Sequence, residues 1–338
     1  MPIKENEYLY ILGIKKIMRI YGKNKKKDKL LQQILLLIGL LILIYFIYSS
    51  GVLEDLSVFS QMNLYLYLFA ILLSLVSVAV KIYRWKYLSH LFGTEMSWRM
   101  SSIVTLSGLF FCNITPGKVG DLYKAYFMKK KYSLGYANGV SMIFYERFFE
   151  LFILIAIAFC SIFVLRVENT TILMITLFIV FLLLLLFIFW KIDYFINISK
   201  KYLVKVPFVN LDLNGDINIR KIGVTKSVSV FLITSVSLFA EFCRLWIVAL
   251  AFGVNLNFIT LSVSFCLSII IGLLSQIPLG IGFMEGSLSL MIGEMGVVST
   301  TAIAIVMADR VISMYLVLVI GLLVSKISFK ELNDVMVE

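Results

Sequence analysis

Charge is scarce in this sequence. Asp, Glu, Lys and Arg make up 15% of its 338 residues, where an ordinary soluble domain carries about 25%. Hydrophobic side chains supply 61%, and the mean hydropathy is +0.97. Several apolar runs reach the ~20 residues a helix needs to cross a bilayer, so the chain reads as an integral membrane protein. Histidine is nearly absent. His90 stands alone, which leaves no histidine metal site and no His partner for a nucleophile. The four cysteines, Cys112, Cys160, Cys243 and Cys266, fall in apolar stretches without CxxC or metal-ligand spacing. They read as small membrane residues and carry no redox signal. A DxD nucleotide-sugar motif is also missing. The expectation is a protein that is not an enzyme and needs no metal or cofactor.

Acids are scarcer than bases, and the formal net charge is +11. The distribution of this charge argues against nucleic acid as a partner. Residues 1–29 hold nine Lys/Arg and three acids, and further bases cluster at 81–99, 118–131 and 191–226. These segments lie between apolar runs, so the charge sets topology and meets anionic headgroups. The Lys-rich start and the length of the first apolar run argue against a signal peptide. About 30 residues precede that run and about a dozen follow the last one, too few for a soluble domain at either end.

Apolar runs and Lys/Arg counts predict spans at about 31–49, 63–82, 137–165, 171–190, 227–252 and 298–325. The stretch 100–115 is short and breaks at Thr115-Pro116-Gly117. Bases follow at Lys118, Lys124 and Lys129-Lys130-Lys131, which suits a hairpin that dips in from the cytoplasm and returns. The stretch 257–296 breaks at Pro278-Leu-Gly-Ile-Gly and suits a second hairpin, entering from outside. Both termini and every basic cluster then fall on the cytoplasmic side of the cell membrane. The expected fold is an all-α polytopic membrane protein of about six spanning helices plus two re-entrant hairpins. A basic segment 1–29 precedes the transmembrane domain 30–326, and a tail 327–338 follows. Repeat one is about 63–165 and repeat two about 227–325, inverted relative to each other.

The repeat is visible in the polar residues. Arg84, then Pro116, Gly117, Lys118, Gly120 and Asp121, then Glu146-Arg147 form one set. Arg244, then Pro278, Gly280, Gly282 and Glu285, then Asp309-Arg310 form the other. Inverted repeats with interrupted helices place transport sites near the bilayer midplane, and irregular backbone there needs protein or a wet cavity around it. A charge at the bilayer centre costs about 2.5–3.5 kcal/mol on insertion scales. Members of each adjacent pair point about 100° apart on a helix, so they cannot neutralise each other. Glu146 and Glu150 share a helix face, and Glu241 and Arg244 are spaced to pair within one helix. These charges can knit helices together or can line a cavity for a polar headgroup or ion. The turn 115–121 resembles an anion cradle with Lys118 as its cation, although an ordinary hairpin tip fits too. It lacks the P-loop signature. The second turn is acidic, which would let a proton or cation couple to headgroup movement.

Other features weigh less. Trp85, Trp98 and Trp190 lie at predicted span ends as interface anchors; Trp246 is deeper. The segment Asp212 to Asp216 starts like a calcium loop but lacks the sixth-position Gly and the twelfth acidic ligand. Asn113 and Asn197 open glycosylation sequons that would lie at the membrane or inside. Gly282 and Gly286 form a GxxxG, commonly a close-packing motif.

Three motifs, Asn113-Ile-Thr-Pro-Gly-Lys-Val-Gly-Asp121, Glu146-Arg147 and Pro278-Leu-Gly-Ile-Gly-Phe-Met-Glu285, resemble the flippase-like family built on the transmembrane region of lysylphosphatidylglycerol synthase. The resemblance spans roughly 30–325. It implies movement of an anionic phospholipid, a glycolipid or a polyprenyl-linked sugar between leaflets. It also implies that Pro116, Gly117, Gly120, Asp121, Glu146, Arg147, Pro278, Gly280, Gly282 and Glu285 take part. The synthase branch adds a soluble aminoacyl-transfer domain and another branch a nucleotide-sugar domain; neither is found in these 338 residues, so a stand-alone membrane unit is expected. Two rivals stay open: an accessory subunit of a cell-envelope glycosyltransferase, and an enzyme acting on a lipid-linked phosphate.

Overall fold

The computed structural model describes residues 25–52, 57–164 and 222–337. The predicted span 171–190 and most of the loop 191–226 lie outside them. Eleven helices follow in order among the described residues: α1 Lys25–Ser49, the short α2 Ser57–Ser60, α3 Leu64–Leu91, α4 Trp98–Ile114, α5 Leu122–Tyr132, α6 Tyr136–Val164, α7 Val224–Ala251, α8 Phe258–Leu274, α9 Phe283–Glu294, α10 Ser299–Arg310 and α11 Leu316–Val337. A 3-10 turn, Pro116–Asp121, joins α4 to α5, and another, Pro278–Gly280, lies between α8 and α9. A π-helical step, Val311–Tyr315, joins α10 to α11. No strand occurs among the described residues, and the molecule is all-α.

Among the described residues, three helical stretches are long and apolar enough to cross a membrane: Leu64–Leu91, Val224–Ala251 and the continuous Ser299–Leu332. Helix α3 runs nine residues past the predicted end of its span, so Arg84 and Lys86 lie on the helix rather than beyond it. The apolar part of α1, Leu37–Ser49, and α8 are shorter.

Two runs of elements match in length. Helices α3 and α7 have 28 residues each, and α4 and α8 have 17 each. Their local chemistry matches too. Ser97 and Asn257 cap the starts of α4 and α8: Ser97 Oγ accepts the Met100 amide, and Asn257 Oδ1 accepts the Ile259 and Thr260 amides, a favoured use of both residues. Helices α3 and α7 end alike, on Gly93 and Gly253 at φ +85° and +76°. There the Thr94 and Val254 amides reach back to Ser89 O and Ala249 O. Glycine takes the left-handed turn that this helix ending requires.

Helices α3 and α7 pack along their lengths. They are antiparallel: the Asn63 amide donates to Ala251 O at 2.7 Å, and Ser77 Oγ meets Ser237 Oγ at 3.1 Å. Small and polar residues at this seam supply the contacts that lipid-surrounded helices need. The two 3-10 turns touch each other. Helix α1 lies across the second turn, where a Cβ on Gly282 would overlap Gly39 O and one on Gly286 would overlap the Phe46 ring. The GxxxG of α9 thus serves close packing. Helix α11 runs along α4, with Gly321 against Leu106 and Phe110.

Candidate functional site

Six charged side chains from α3, the first turn, α5 and α6 close a ring of alternating sign. Arg84 Nη2 donates to Glu146 Oε1 and Glu150 Oε1, both at 2.7 Å. Glu146 Oε2 accepts from Lys124 Nζ at 2.7 Å, and Lys124 lies 3.1 Å from Asp121 Oδ1. Asp121 Oδ2 accepts from Arg147 Nε at 2.6 Å and is paired with Nη2 as well. Arg147 Nη1 returns to Glu150 Oε2 at 2.6 Å. Three cations meet three carboxylates, so the ring is neutral. Because Glu146 and Arg147 point apart on α6, one meets Arg84 and Lys124 while the other meets Asp121 and Glu150. Arg84 is 2% exposed and Glu146 1%. Such burial is tolerable only because every charge is matched.

The second run holds a sparser arrangement. Arg244 grips Asp309 through Nε to Oδ1 at 2.7 Å and Nη2 to Oδ2 at 3.2 Å. Arg310 Nε lies 2.9 Å from Glu285 Oε1. That contact is within ion-pair distance but outside hydrogen-bonding angles, and Arg310 Nη2 is buried without a hydrogen-bond partner. Glu285 Oε2 accepts the Gly282 amide at 2.7 Å, so this carboxylate also caps α9. The two runs are linked by Lys81 of α3, which meets Glu241 of α7 at 2.6 Å, with Ser77 Oγ donating to the same oxygen at 3.0 Å.

Several expectations change. Glu241 and Arg244 do not pair within α7; each finds its partner on another helix, Lys81 of α3 and Asp309 of α10. Two amides of the first turn that an anion cradle would need are already engaged. The Gly120 amide goes to Thr115 Oγ1 at 2.7 Å and the Lys118 amide to Thr115 O at 3.3 Å. Lys118 itself adopts φ +56°. Gly120 is required because a Cβ there would overlap the Phe111 carbonyl. Trp85 is no interface anchor: it is fully buried, with Lys124 Nζ 4.9 Å above its ring. Trp98 is 55% exposed and stacks on Tyr83.

The predicted residues Arg84, Asp121, Glu146 and Arg147 come together in the ring, and Arg244, Glu285, Asp309 and Arg310 in the second arrangement. Pro116, Gly117, Gly120, Pro278, Gly280 and Gly282 form or flank the abutting turns. Sequence reasoning missed Lys124, which reads as one more base in a cytoplasmic cluster; its i,i+3 spacing from Asp121 was the available signal. It also missed the π step. Returning from i→i+5 to i→i+4 bonding strands a carbonyl, and Ser74 Oγ donates to Ile312 O at 3.1 Å while Tyr67 Oη donates to Ala308 O at 3.0 Å. Helix α3 thereby holds the helical segment that carries Asp309 and Arg310. No group of three or more potential metal ligands occurs among the described residues.

Known proteins are similar to this chain in sequence. A UPF0104 membrane protein of Methanothermobacter thermautotrophicus is 28% identical over 285 residues, covering 78% of this chain and 84% of the relative. Two UPF0104 membrane proteins of Methanocaldococcus jannaschii are each 23% identical. One aligns over 322 residues, 89% of this chain and 96% of its own; the other aligns over 219 residues, 63% and 92%. The model of the family described as the lysylphosphatidylglycerol synthase TM region matches residues 32–321. This multi-pass membrane protein therefore belongs to the lysylphosphatidylglycerol synthase transmembrane-region family.

Proposed function

We propose that the protein moves a lipid with a charged headgroup between membrane leaflets by alternating access. One observation carries the reading: two interrupted helices meet turn to turn, flanked by buried charge drawn from both runs of elements. Apolar lipid tails need no such interior, whereas a charged headgroup crossing the hydrocarbon does. The antiparallel α3 and α7 and the matched element lengths support an inverted repeat, with one hairpin entering from each side. Positive-inside counting of the basic clusters favours a cell-membrane protein with both termini in the cytoplasm. Candidate cargo is an anionic phospholipid, a glycolipid or a polyprenyl-linked sugar. Glu285, at the acidic turn, is the natural point for a proton or cation to couple to movement. The reading is of a transporter rather than an enzyme, and a glycosyltransferase partner is compatible with it.

The test is reconstitution of the purified protein into vesicles with a fluorescent phosphatidylglycerol and a membrane-impermeant quencher. The wild type should expose the inner-leaflet probe faster than empty vesicles. Arg147→Gln and Glu285→Gln should remain folded and lose at least tenfold of that rate. Full transport in both variants would remove this site from the mechanism. Absence of transport, together with stable co-purification of a glycosyltransferase, would instead make the protein an accessory subunit.

A further inference from the structure

The two charge arrangements correspond residue by residue until two positions differ. Arg84 matches Arg244, Asp121 matches Glu285, Glu146 matches Asp309, and Arg147 matches Arg310. Three residues after Arg147 stands Glu150; three after Arg310 stands Ser313. Three residues after Asp121 stands Lys124; three after Glu285 stands Leu288. The second run therefore lacks one acid and one base of the ring.

The loss falls unevenly on the arginines. Arg147 spends Nε and Nη2 on Asp121 and Nη1 on Glu150. Arg310 has one carboxylate, Glu285, held off hydrogen-bonding angles, and its Nη2 is buried with no partner. Ser313 turns its hydroxyl to Asp309 Oδ2 at 3.4 Å and supplies no acceptor charge to Arg310. The Arg310 side chain is 8% exposed, so water does not readily replace the missing acceptor. A buried guanidinium with an unmet donor calls for an anionic oxygen. Nearby, Ser313 is half-buried and Val311, the residue after Arg310, is 49% exposed, so the helix meets its surroundings beside the site.

We propose that Arg310 is a subsite for the phosphate-ester oxygens of an anionic headgroup, occupying the position that Glu150 takes on Arg147. This rests on the lipid-translocation reading and narrows it. Arg84 also buries an Nε without a hydrogen-bond partner, but it meets two carboxylates, Glu146 and Glu150, whereas Arg310 meets Glu285 alone, so the charge left for a phosphate is on the second run. The group is a planar fork suited to two oxygens of one phosphate. The same chemistry would accept free phosphate, so the test separates the sources.

Purified wild-type protein in mixed micelles of phosphatidylglycerol and a neutral glycolipid is compared by native mass spectrometry with Arg310→Gln and Ser313→Glu. The second variant installs the acid that the first run already has, so it fills the face without removing the arginine. Wild type should retain one phosphatidylglycerol in preference to glycolipid, and both variants should lose at least tenfold of that retention. Retention unchanged in either variant overturns the subsite, as does a wild type that binds neither phosphatidylglycerol nor inorganic phosphate. Displacement of the lipid by millimolar inorganic phosphate assigns the site to the phosphate group alone; resistance to it assigns the site to the esterified headgroup. The vesicle assay keeps the two readings apart. Specific retention at Arg310 without translocation leaves the subsite and removes the transport reading. Translocation that survives in both variants does the reverse.

Discussion

Arg84 and Glu146, 62 residues apart in the chain, meet at 2.7 Å on sites that are 2% and 1% exposed. Glu146 also holds Lys124 at 2.7 Å. One carboxylate thus secures two buried cations from two elements. Removing one partner of a buried pair costs about 3–5 kcal/mol, because the other charge is stranded. Glu146→Gln should cost at least that much, read as a lowered thermal unfolding temperature in detergent. Arg99→Gln is the control: Arg99 pairs with Glu331 at 3.2 Å but its side chain is 74% exposed, so unfolding should not shift measurably. Equal effects from the two variants would show that the ring is not what holds α3, α5 and α6 together.

The seating of α1 on the second turn yields a compensation experiment. Gly286→Ala pushes a methyl into the Phe46 ring, and Gly282→Ala pushes one into the Gly39 carbonyl at a residue with φ +82°. Overpacking of this kind costs about 1–3 kcal/mol. Phe46→Leu should recover much of the Gly286→Ala loss, because a side chain can be trimmed. It should recover none of the Gly282→Ala loss, where the obstacle is backbone. A double-mutant cycle on thermal stability checks both, since coupling is expected only between touching residues.

The long spans were legible in the sequence because apolar runs such as 227–252 carry no competing signal. The pairing of positions was legible too, since Arg84/Arg244 and Glu146-Arg147/Asp309-Arg310 keep nearly equal spacings. The partners were not. Lys124 sits among bases that positive-inside counting assigns to a loop, yet its side chain folds back over Trp85 and Gly108. Helix α3 continues to Leu91 because its charges find carboxylates on α6 and α7, and that is a tertiary fact. The turn 115–121 looked like an anion cradle because glycines advertise free amides; Thr115, one residue before Pro116, takes the Gly120 amide instead. The π step at Val311–Tyr315 leaves no mark in residue type at all.

That π step should depend on α3. Ser74 Oγ and Tyr67 Oη supply hydrogen bonds to Ile312 O and Ala308 O. A hydrogen bond of this kind contributes about 1 kcal/mol, and a buried orphaned carbonyl costs about 1–3 kcal/mol. Ser74→Ala and Tyr67→Phe should each speed amide exchange across 308–316 while leaving α8 and α9 unchanged. If exchange at 308–316 is unaltered in the double variant, the step is held by the helix itself and α3 is a bystander.

Lys81 and Glu241 form the link most exposed to change when the two runs move. They join α3 to α7 at 2.6 Å, and their side chains are 21% and 13% exposed, well above the ring's Arg84 and Glu146. Partial exposure lets water take over when the pair opens, so the contact can break at less cost than the deeply buried Arg84–Glu146 and Lys124–Glu146 bonds of the ring. Lys81→Met should lower stability by about 1.5–3 kcal/mol, the range for a hydrogen bond to a charged group. The exchange Lys81→Glu with Glu241→Lys should restore part of it, less than fully because Ser77 donates to the carboxylate in its present place. Transport in vesicles gives the sharper reading. If α3 and α7 shift against each other during the cycle, Lys81→Met accelerates lipid movement by removing a contact that must open. A slower rate at intact stability would mean that the link has to stay closed throughout, and that motion lies in the hairpins alone.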